Sequence, residues 1–280
     1  MNADDGRPAA PPRLPALAAL RRALGAGRPD AAALALLRND PRPAAAALLA
    51  SAERRWARED AALARHDAML SLERALAERG RVTIAGVDEA GLGPLAGPVV
   101  AAAVVLGDAA GIVSIDDSKK LDEKKRLLLE PRIRERAAAF AIGMASVAEV
   151  DQWNVHQAGL LAMRRAVEGL AIRPDHVLVD ARRIPGINME QSAHIRGDSL
   201  SLSIAAASIL AKVHRDHLMD ELDRQYPGYG LARHKGYGTA EHQEALRRLG
   251  ASPVHRLSYQ AVRDLVAQGK PSLEPGPSRP

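Results

Sequence analysis

Residues 82–98 read Val-Thr-Ile-Ala-Gly-Val-Asp-Glu-Ala-Gly-Leu-Gly-Pro-Leu-Ala-Gly-Pro. An apolar run of strand character ends on two adjacent carboxylates, Asp88 and Glu89, and passes straight into a glycine-rich turn. A chain built this way has to place acid at the end of a buried strand. Glycine at the turn lets backbone approach a ligand closely, because no side chain intervenes. Carboxylates beside exposed backbone amides suit a divalent metal held next to a phosphate.

The flanking pattern supports an α/β arrangement. Residues 82–88 and 98–106 are apolar and valine-rich and read as buried strands, with a third over 137–146. A helix is expected over 155–170, a short strand over His176–Asp180, and a long helix over 199–225. In that helix Leu202, Ala206, Ile209, Leu210 and Val213 recur at helical spacing. Another helix is expected over 240–249. Three strands followed by helix, strand and helix predict a mixed sheet with helices on its faces. Ahead of it, residues 16–80 are rich in Ala, Leu and Arg. They read as a helical extension of two short helices and a longer one over about 44–78. The proline-rich ends, 1–15 and 266–280, are expected to be disordered, leaving 81–265 as the catalytic domain.

Composition excludes several chemistries. The 280 residues contain no cysteine, so there is no disulfide, thiolate nucleophile or Cys-ligated zinc. A metal would need oxygen or imidazole ligands, and oxygen favours Mg²⁺ or Mn²⁺. Aromatics are only 2% of the chain, so the core relies on Ala, Leu, Val and Ile. The net charge of +5 fits a nucleic-acid partner. No apolar run is long enough to span a membrane, and the N-terminus lacks a secretion pattern, so a cytoplasmic location is expected.

Two further acids join the first pair. Asp180 ends an apolar strand, a common place for function where an α/β sheet opens, although a turn cap is the commoner fate of such an Asp. Asp198 stands just before the long helix, where N-capping competes with function. If the strands ending in Asp88 and Asp180 are adjacent and parallel, these two acids lie side by side. Four clustered carboxylates raise one another's pKa, and divalent cations relieve that repulsion. Two such ions about 4 Å apart cleave phosphodiesters without a protein nucleophile.

At this point the motifs resemble those of the bacterial ribonuclease HII family, over about residues 82–262. They include Gly86-Val-Asp-Glu-Ala-Gly91, Gly93-Pro-Leu-Ala-Gly-Pro98, Asp117-Ser-Lys-Lys-Leu121, Gly197-Asp198, the run Ser201–Lys212, His234-Lys-Gly-Tyr-Gly-Thr239 and Ser252-Pro-Val-His-Arg256. The run Met69-Leu-Ser-Leu-Glu-Arg74 resembles the end of a helical extension found in some members. The resemblance implies a ribonuclease H-like mixed five-stranded sheet flanked by helices. It implies hydrolysis of the RNA strand of RNA–DNA hybrids and incision at ribonucleotides embedded in duplex DNA, leaving 3′-hydroxyl and 5′-phosphate ends. It maps Asp88, Glu89, Asp180 and Asp198 to the metal-binding acids, and Tyr237 to a tyrosine that stacks on the sugar at the RNA–DNA junction.

Gly91, Leu92 and Gly93 take the place of a turn that reads the ribose 2′-hydroxyl. The family's turn normally reads Gly-Arg-Gly, so Leu92 removes a charged contact while both glycines remain. Ala181 stands where the family usually has glycine, and Arg196 where it usually has lysine. Lys119 and Lys120 are expected at a phosphate, as is Lys235, and Lys212 is expected to project from the long helix toward the metal site. His214 and His217 read as surface histidines.

Three functional readings follow. The first is a metal-dependent endoribonuclease acting as a monomer. The second is a hybrid-binding protein with catalysis weakened by Leu92. The third is a DNA nuclease or resolvase of the same broad fold. A sliding clamp is a further candidate partner through the tail, which carries no motif for one.

Overall fold

The computed structural model describes residues 15–107 and 121–269. Lys119 and Lys120, the first residues of the N-terminal tail and those after 269 lie outside the described residues. The chain divides into two compact units, Met1–Arg65 and His66–Pro280.

The first unit is helical: α1 (Leu17–Ala26), α2 (Ala31–Arg38) and most of α3 (Pro43–Met69). Leu20, Leu24, Leu49 and Trp56 form its core. Asp30 caps α2, accepting a hydrogen bond from the Ala33 amide at 2.8 Å.

In the second unit the helix expected to reach residue 78 is broken. α3 ends at Met69 and α4 runs over Ser71–Ala77, with Leu70 between them at φ −90°, ψ 1°. The break allows both Met69 and Glu73 to turn inward. Met69 is fully buried in the core, and Glu73 reaches the start of the long helix α8 (Leu202–Gln225). There its Oε1 accepts from the Ser201 hydroxyl at 2.6 Å, the Ser203 hydroxyl at 2.7 Å and the Ser203 amide at 3.0 Å. An acid at a helix N-terminus satisfies an orphan donor and complements the dipole.

The sheet has five strands: β1 (Ile84–Ala90), β2 (Val99–Leu106), β3 (Ala137–Ala145), β4 (His176–Asp180) and β5 (Glu190–His194), in the order β3-β2-β1-β4-β5. β1, β2 and β3 are antiparallel neighbours, whereas β4 lies parallel to β1 and β5 parallel to β4. Strand alternation sends side chains to two faces. Ala102 and Val104 pack against α8 and α5 (Glu123–Arg136). Val87, Val99, Ala101, Ala103, Val177 and Val179 pack against α7 (Val155–Glu168). Gly86 brings β1 onto α8 so closely that a Cβ there would lie 2.1 Å from the Ser203 carbonyl carbon. The Ala-rich start of α8 permits that approach.

Short helices α6 (Val147–Trp153), α9 (Leu231–His234), α10 (Ala240–Leu249) and α11 (Gln260–Gly269) complete the unit. α11 carries regular structure past the expected boundary at 265. Tyr229, Leu231, Leu246 and Val262 form a further core with Met219 of α8 and Ala96 from the turn after β1. No helix among the described residues is long and apolar enough to cross a membrane.

Candidate active site

The β1–β4 register pairs Val87 with Val179, so the next residues along these parallel strands, Asp88 and Asp180, are neighbours on one face. That face is the one covered by α8, because Gly86 and Leu178 precede them by two residues and both meet its first turn. The adjacency expected from sequence is therefore present.

Asp88 is 3% exposed. Its Oδ1 accepts from the Glu89 amide at 2.7 Å, and Ser208 of α8 also hydrogen-bonds it. Burial first, then the charges of Glu89 and Asp180, holds its carboxyl well above the usual carboxylate range. Asp180 Oδ1 accepts from the Gly197 amide at 2.7 Å. That bond ties the end of β4 to a 3-10 turn, Gly197–Ser199, which carries Asp198. Asp198 is 1% exposed and does not cap α8. Ser201 does so, accepting from the Ile204 amide at 3.2 Å. Asp180 reaches across to a residue far along the chain, so it is not a local turn cap either. The capping alternatives raised by the sequence thus fall away for both acids.

The donor set fits a divalent metal by its chemistry. Asp88 is desolvated and opposed by the charges of Glu89 and Asp180, hard oxygen donors whose repulsion a divalent cation relieves. As placed, no three His, Asp or Glu side chains among the described residues enclose a common point.

Beyond the acids lies the glycine turn. Gly91 is at φ 96°, and a Cβ there would lie 2.2 Å from Arg215 Nε. Only glycine meets both demands. Gly93 is exposed, and a Cβ on it would lie 3.6 Å from Tyr237 Cε1. Tyr237 itself is 45% exposed. The turn and the tyrosine, far apart in sequence, thus share one surface. A backbone bond from the Leu95 amide to the Gly236 carbonyl, 2.8 Å, fixes their relation.

Leu92 is half-buried and leans toward α7, where a Cβ at Gly159 would lie 3.1 Å from its Cδ2. Lys212 pairs with Asp216 one turn further along α8, and Lys235 pairs with Asp220. Each ammonium thus has a carboxylate partner of its own.

Sequence reasoning missed what lies behind the turn. Arg256 and Arg215 are 0% and 1% exposed, and among the described residues neither pairs with a carboxylate. Both bind main-chain carbonyls instead. Arg215 donates to Ala96, Pro98 and Lys235. Burial first, then Arg256, brings its pKa down to about 10, so it stays charged at neutral pH. Burial likewise lowers Arg256.

Three buried histidines support Tyr237 from below. The Ser252 amide donates to His255 Nδ1 at 3.0 Å, so the proton of His255 is on Nε2. That Nε2 donates to His242 Nε2 at 3.0 Å, and His242 Nδ1 then donates to the Tyr237 carbonyl at 3.0 Å. The Gly236 amide donates to His234 Nδ1, whose ring stacks on His242 at 4.4 Å. Burial first, and His242 next, pushes His255 down to about 4, and burial lowers His242 as well. The only sequence signal for this group was the presence of His234 and His255 inside the quoted motifs.

A mixed sheet in this order, with helices on both faces and acids at the ends of its central parallel pair, defines a ribonuclease H-like fold. The ribonuclease H2 of Pyrococcus horikoshii shares it, with a TM-score of 0.58 and 24% identity over 67% of this chain and 99% of that one. The family profile described as Ribonuclease HII matches residues 85–262, and that of the Ribonuclease HII N-terminal domain matches 18–77. The ribonuclease HII of Myxococcus xanthus is 53% identical over 84% of this chain and 80% of its own. That of Geobacillus thermodenitrificans is 50% identical over 82% and 89%. The chain belongs to the ribonuclease HII family. Membership carries the coarse activity: endonucleolytic, metal-dependent ribonuclease H action on RNA–DNA hybrids.

Proposed function

We propose that this chain also incises duplex DNA at single embedded ribonucleotides, using Asp88, Glu89, Asp180 and Asp198 to hold Mg²⁺ or Mn²⁺ and leaving 3′-hydroxyl and 5′-phosphate ends. The observation that carries this reading is one juxtaposition. Buried Asp88 near the end of β1 is opposed by the charges of Glu89 and of half-buried Asp180 at the end of β4, and the glycine turn that leaves β1 lies against the exposed ring of Tyr237.

When bound, a pair of divalent ions supplies activation of the attacking water and charge neutralisation at the leaving oxygen. The chain's own residues do the rest. Asp180 and the Gly197 amide keep the turn of Asp198 against the end of β4. The Gly91–Gly93 backbone meets the ribose 2′-hydroxyl, which distinguishes RNA from DNA at one nucleotide. Tyr237 offers a flat apolar face to the junction sugar. Lys119 and Lys120 meet phosphates along the duplex and add affinity without sequence preference.

The test is cleavage of a labelled DNA duplex carrying one ribonucleotide, with Mg²⁺, with Mn²⁺ and with chelator. An all-DNA duplex and Asp180→Asn serve as controls. Metal-dependent incision only at the ribonucleotide, lost in the variant, is the expected result. Binding without incision under either metal would overturn it in favour of a hybrid-binding protein weakened at Leu92. Incision of the all-DNA duplex would favour a DNA nuclease.

A further inference from the structure

The guanidinium of Arg256 gathers the main-chain carbonyls of the glycine turn. Its Nη2 donates to Gly91 O at 2.6 Å and to Gly97 O at 2.8 Å. Its Nη1 donates to Leu92 O at 3.1 Å and Pro94 O at 2.8 Å, and its Nε donates to Gly97 O at 3.0 Å. Tyr259 completes the cradle. Its hydroxyl donates to Leu92 O at 2.8 Å and accepts from Arg256 Nη1 at 3.0 Å.

The direction of these bonds has a consequence on the opposite side. Every peptide bond among the described residues is trans. In a trans peptide the carbonyl of one residue and the amide of the next point in opposite directions. Drawing Gly91 O and Leu92 O inward therefore turns the amides of Leu92 and Gly93 outward. Neither amide has a protein partner among the described residues. They emerge at exposed Gly93, on the surface that carries the Tyr237 ring. Two successive outward amides form a concavity that accepts an oxygen. The guanidinium behind them has no paired carboxylate among the described residues, so its charge adds to the positive end of both peptide dipoles in a low-dielectric setting.

We infer that Arg256, seconded by Tyr259, is the positioning residue that gives the turn its ribose-reading face. It acts through the backbone of Leu92 and Gly93 and touches no substrate itself. The inference rests on the proposed reading of the turn and adds what holds that turn in its reading shape. It also explains why Leu92 is compatible with that shape, because the amides are aimed by a buried residue and not by the side chain at position 92.

The experiment uses the full chain with Arg256→Lys and Tyr259→Phe. Lysine keeps the charge and loses the planar fork that spans several carbonyls. Phenylalanine removes one hydroxyl only and preserves the packing. Two constants are measured under Mg²⁺: KM for a DNA duplex with one ribonucleotide, and the inhibition constant of an all-DNA duplex competing against it. The second reports backbone binding without ribose reading, and a purely structural loss would not separate the two.

Arg256→Lys should raise KM about tenfold and Tyr259→Phe about fivefold, as expected for roughly one net hydrogen bond or slightly more. The all-DNA constant should stay at the wild-type value for both. If Arg256→Lys does not fold, Tyr259→Phe decides alone. A folded variant that keeps the wild-type ratio of the two constants overturns the inference. A wild-type enzyme whose two constants are equal overturns the reading of the turn, and the inference with it.

Discussion

Lowering the pH from 7 to 5 should destabilise the catalytic unit through His255, by an amount the structure allows us to work out. The ordinary value of this histidine is 6.5, and the fold holds it at about 4. Its neutral form is the one the fold accepts. Nδ1 already receives the Ser252 amide, and Nε2–H is committed to His242. An added proton would have to sit on Nδ1, facing another N–H. The stability contributed by this group is therefore fully present above 6.5 and lost as the pH falls from 6.5 toward 4. Linkage across that gap gives about 2 kcal/mol lost by pH 5 and about 3 kcal/mol once the pH is below both values. For a unit of this size the first figure corresponds to a fall in Tm of about 4–8 °C.

The assay is thermal and urea unfolding of the wild type and of His255→Gln at pH 7, 6 and 5. Glutamine can still accept from Ser252 and donate to His242, but it does not titrate. Other perturbed groups do not confuse the comparison. Glu149 and Asp175 lose their contributions only as the pH falls through their unfolded values of 4.5 and 3.8. Asp88, His176 and His214 are common to both proteins and cancel in the difference, and His242, which burial also lowers, keeps in glutamine a donor to its Nε2 and titrates in both proteins. The wild type should lose about 2 kcal/mol more than His255→Gln between pH 7 and 5. Parallel stability curves for the two proteins would refute the reasoning.

Two further outcomes follow from departures from the family pattern. Leu92→Arg should tighten binding of an RNA–DNA hybrid and steepen the dependence of log K on log salt by about 0.9, the signature of one added phosphate contact; unchanged hybrid affinity at matched salt would sink the idea. Ala181, directly after Asp180, is held at φ 56°, a left-handed conformation that costs an L-residue roughly 1–2 kcal/mol. Ala181→Gly should relieve that strain for a net gain of about 0.5–1 kcal/mol after the added freedom of the unfolded chain, read as a higher urea midpoint, and a midpoint that stays put or falls would count against it.

The parts legible in the sequence were those where one residue type does one job. The apolar runs ending in Asp88 and Asp180 gave two strands and their acids, because alternation and strand length are local properties. β5 escaped, since Glu190–His194 is polar and becomes a strand only by pairing with β4 at the sheet edge. The break at Leu70 escaped too, because nothing near it is a helix breaker; it depends on burial of Met69 and on Glu73 meeting Ser201 and Ser203. Arg215 and Arg256 look like any charged residue in a basic chain. Their burial against carbonyls is a tertiary fact, as is the relay through His242 and His255. Lys235, whose position beside Tyr237 suggested a phosphate contact, also pairs with Asp220, a partner fifteen residues away that only the fold brings to it.

The departure at Leu92 can now be placed within the architecture. The acids belong to the sheet and to the turn before α8. The surface that carries Gly93 and Tyr237 is braced from α8 by Arg215, from α9 and α10 by His234 and His242, and from the chain after α10 by His255, Arg256 and Tyr259. Position 92 lies between these two sets and anchors neither. Its side chain packs toward Gly159, while its carbonyl and the following amide are fixed by Arg256 and Tyr259. Losing an arginine there removes a charge from the surface without disturbing the acids or aiming the amides differently. The consequence should therefore fall on affinity and its salt dependence, with turnover on saturating hybrid kept. That pattern separates a weakly binding ribonuclease from a binding protein that has lost catalysis.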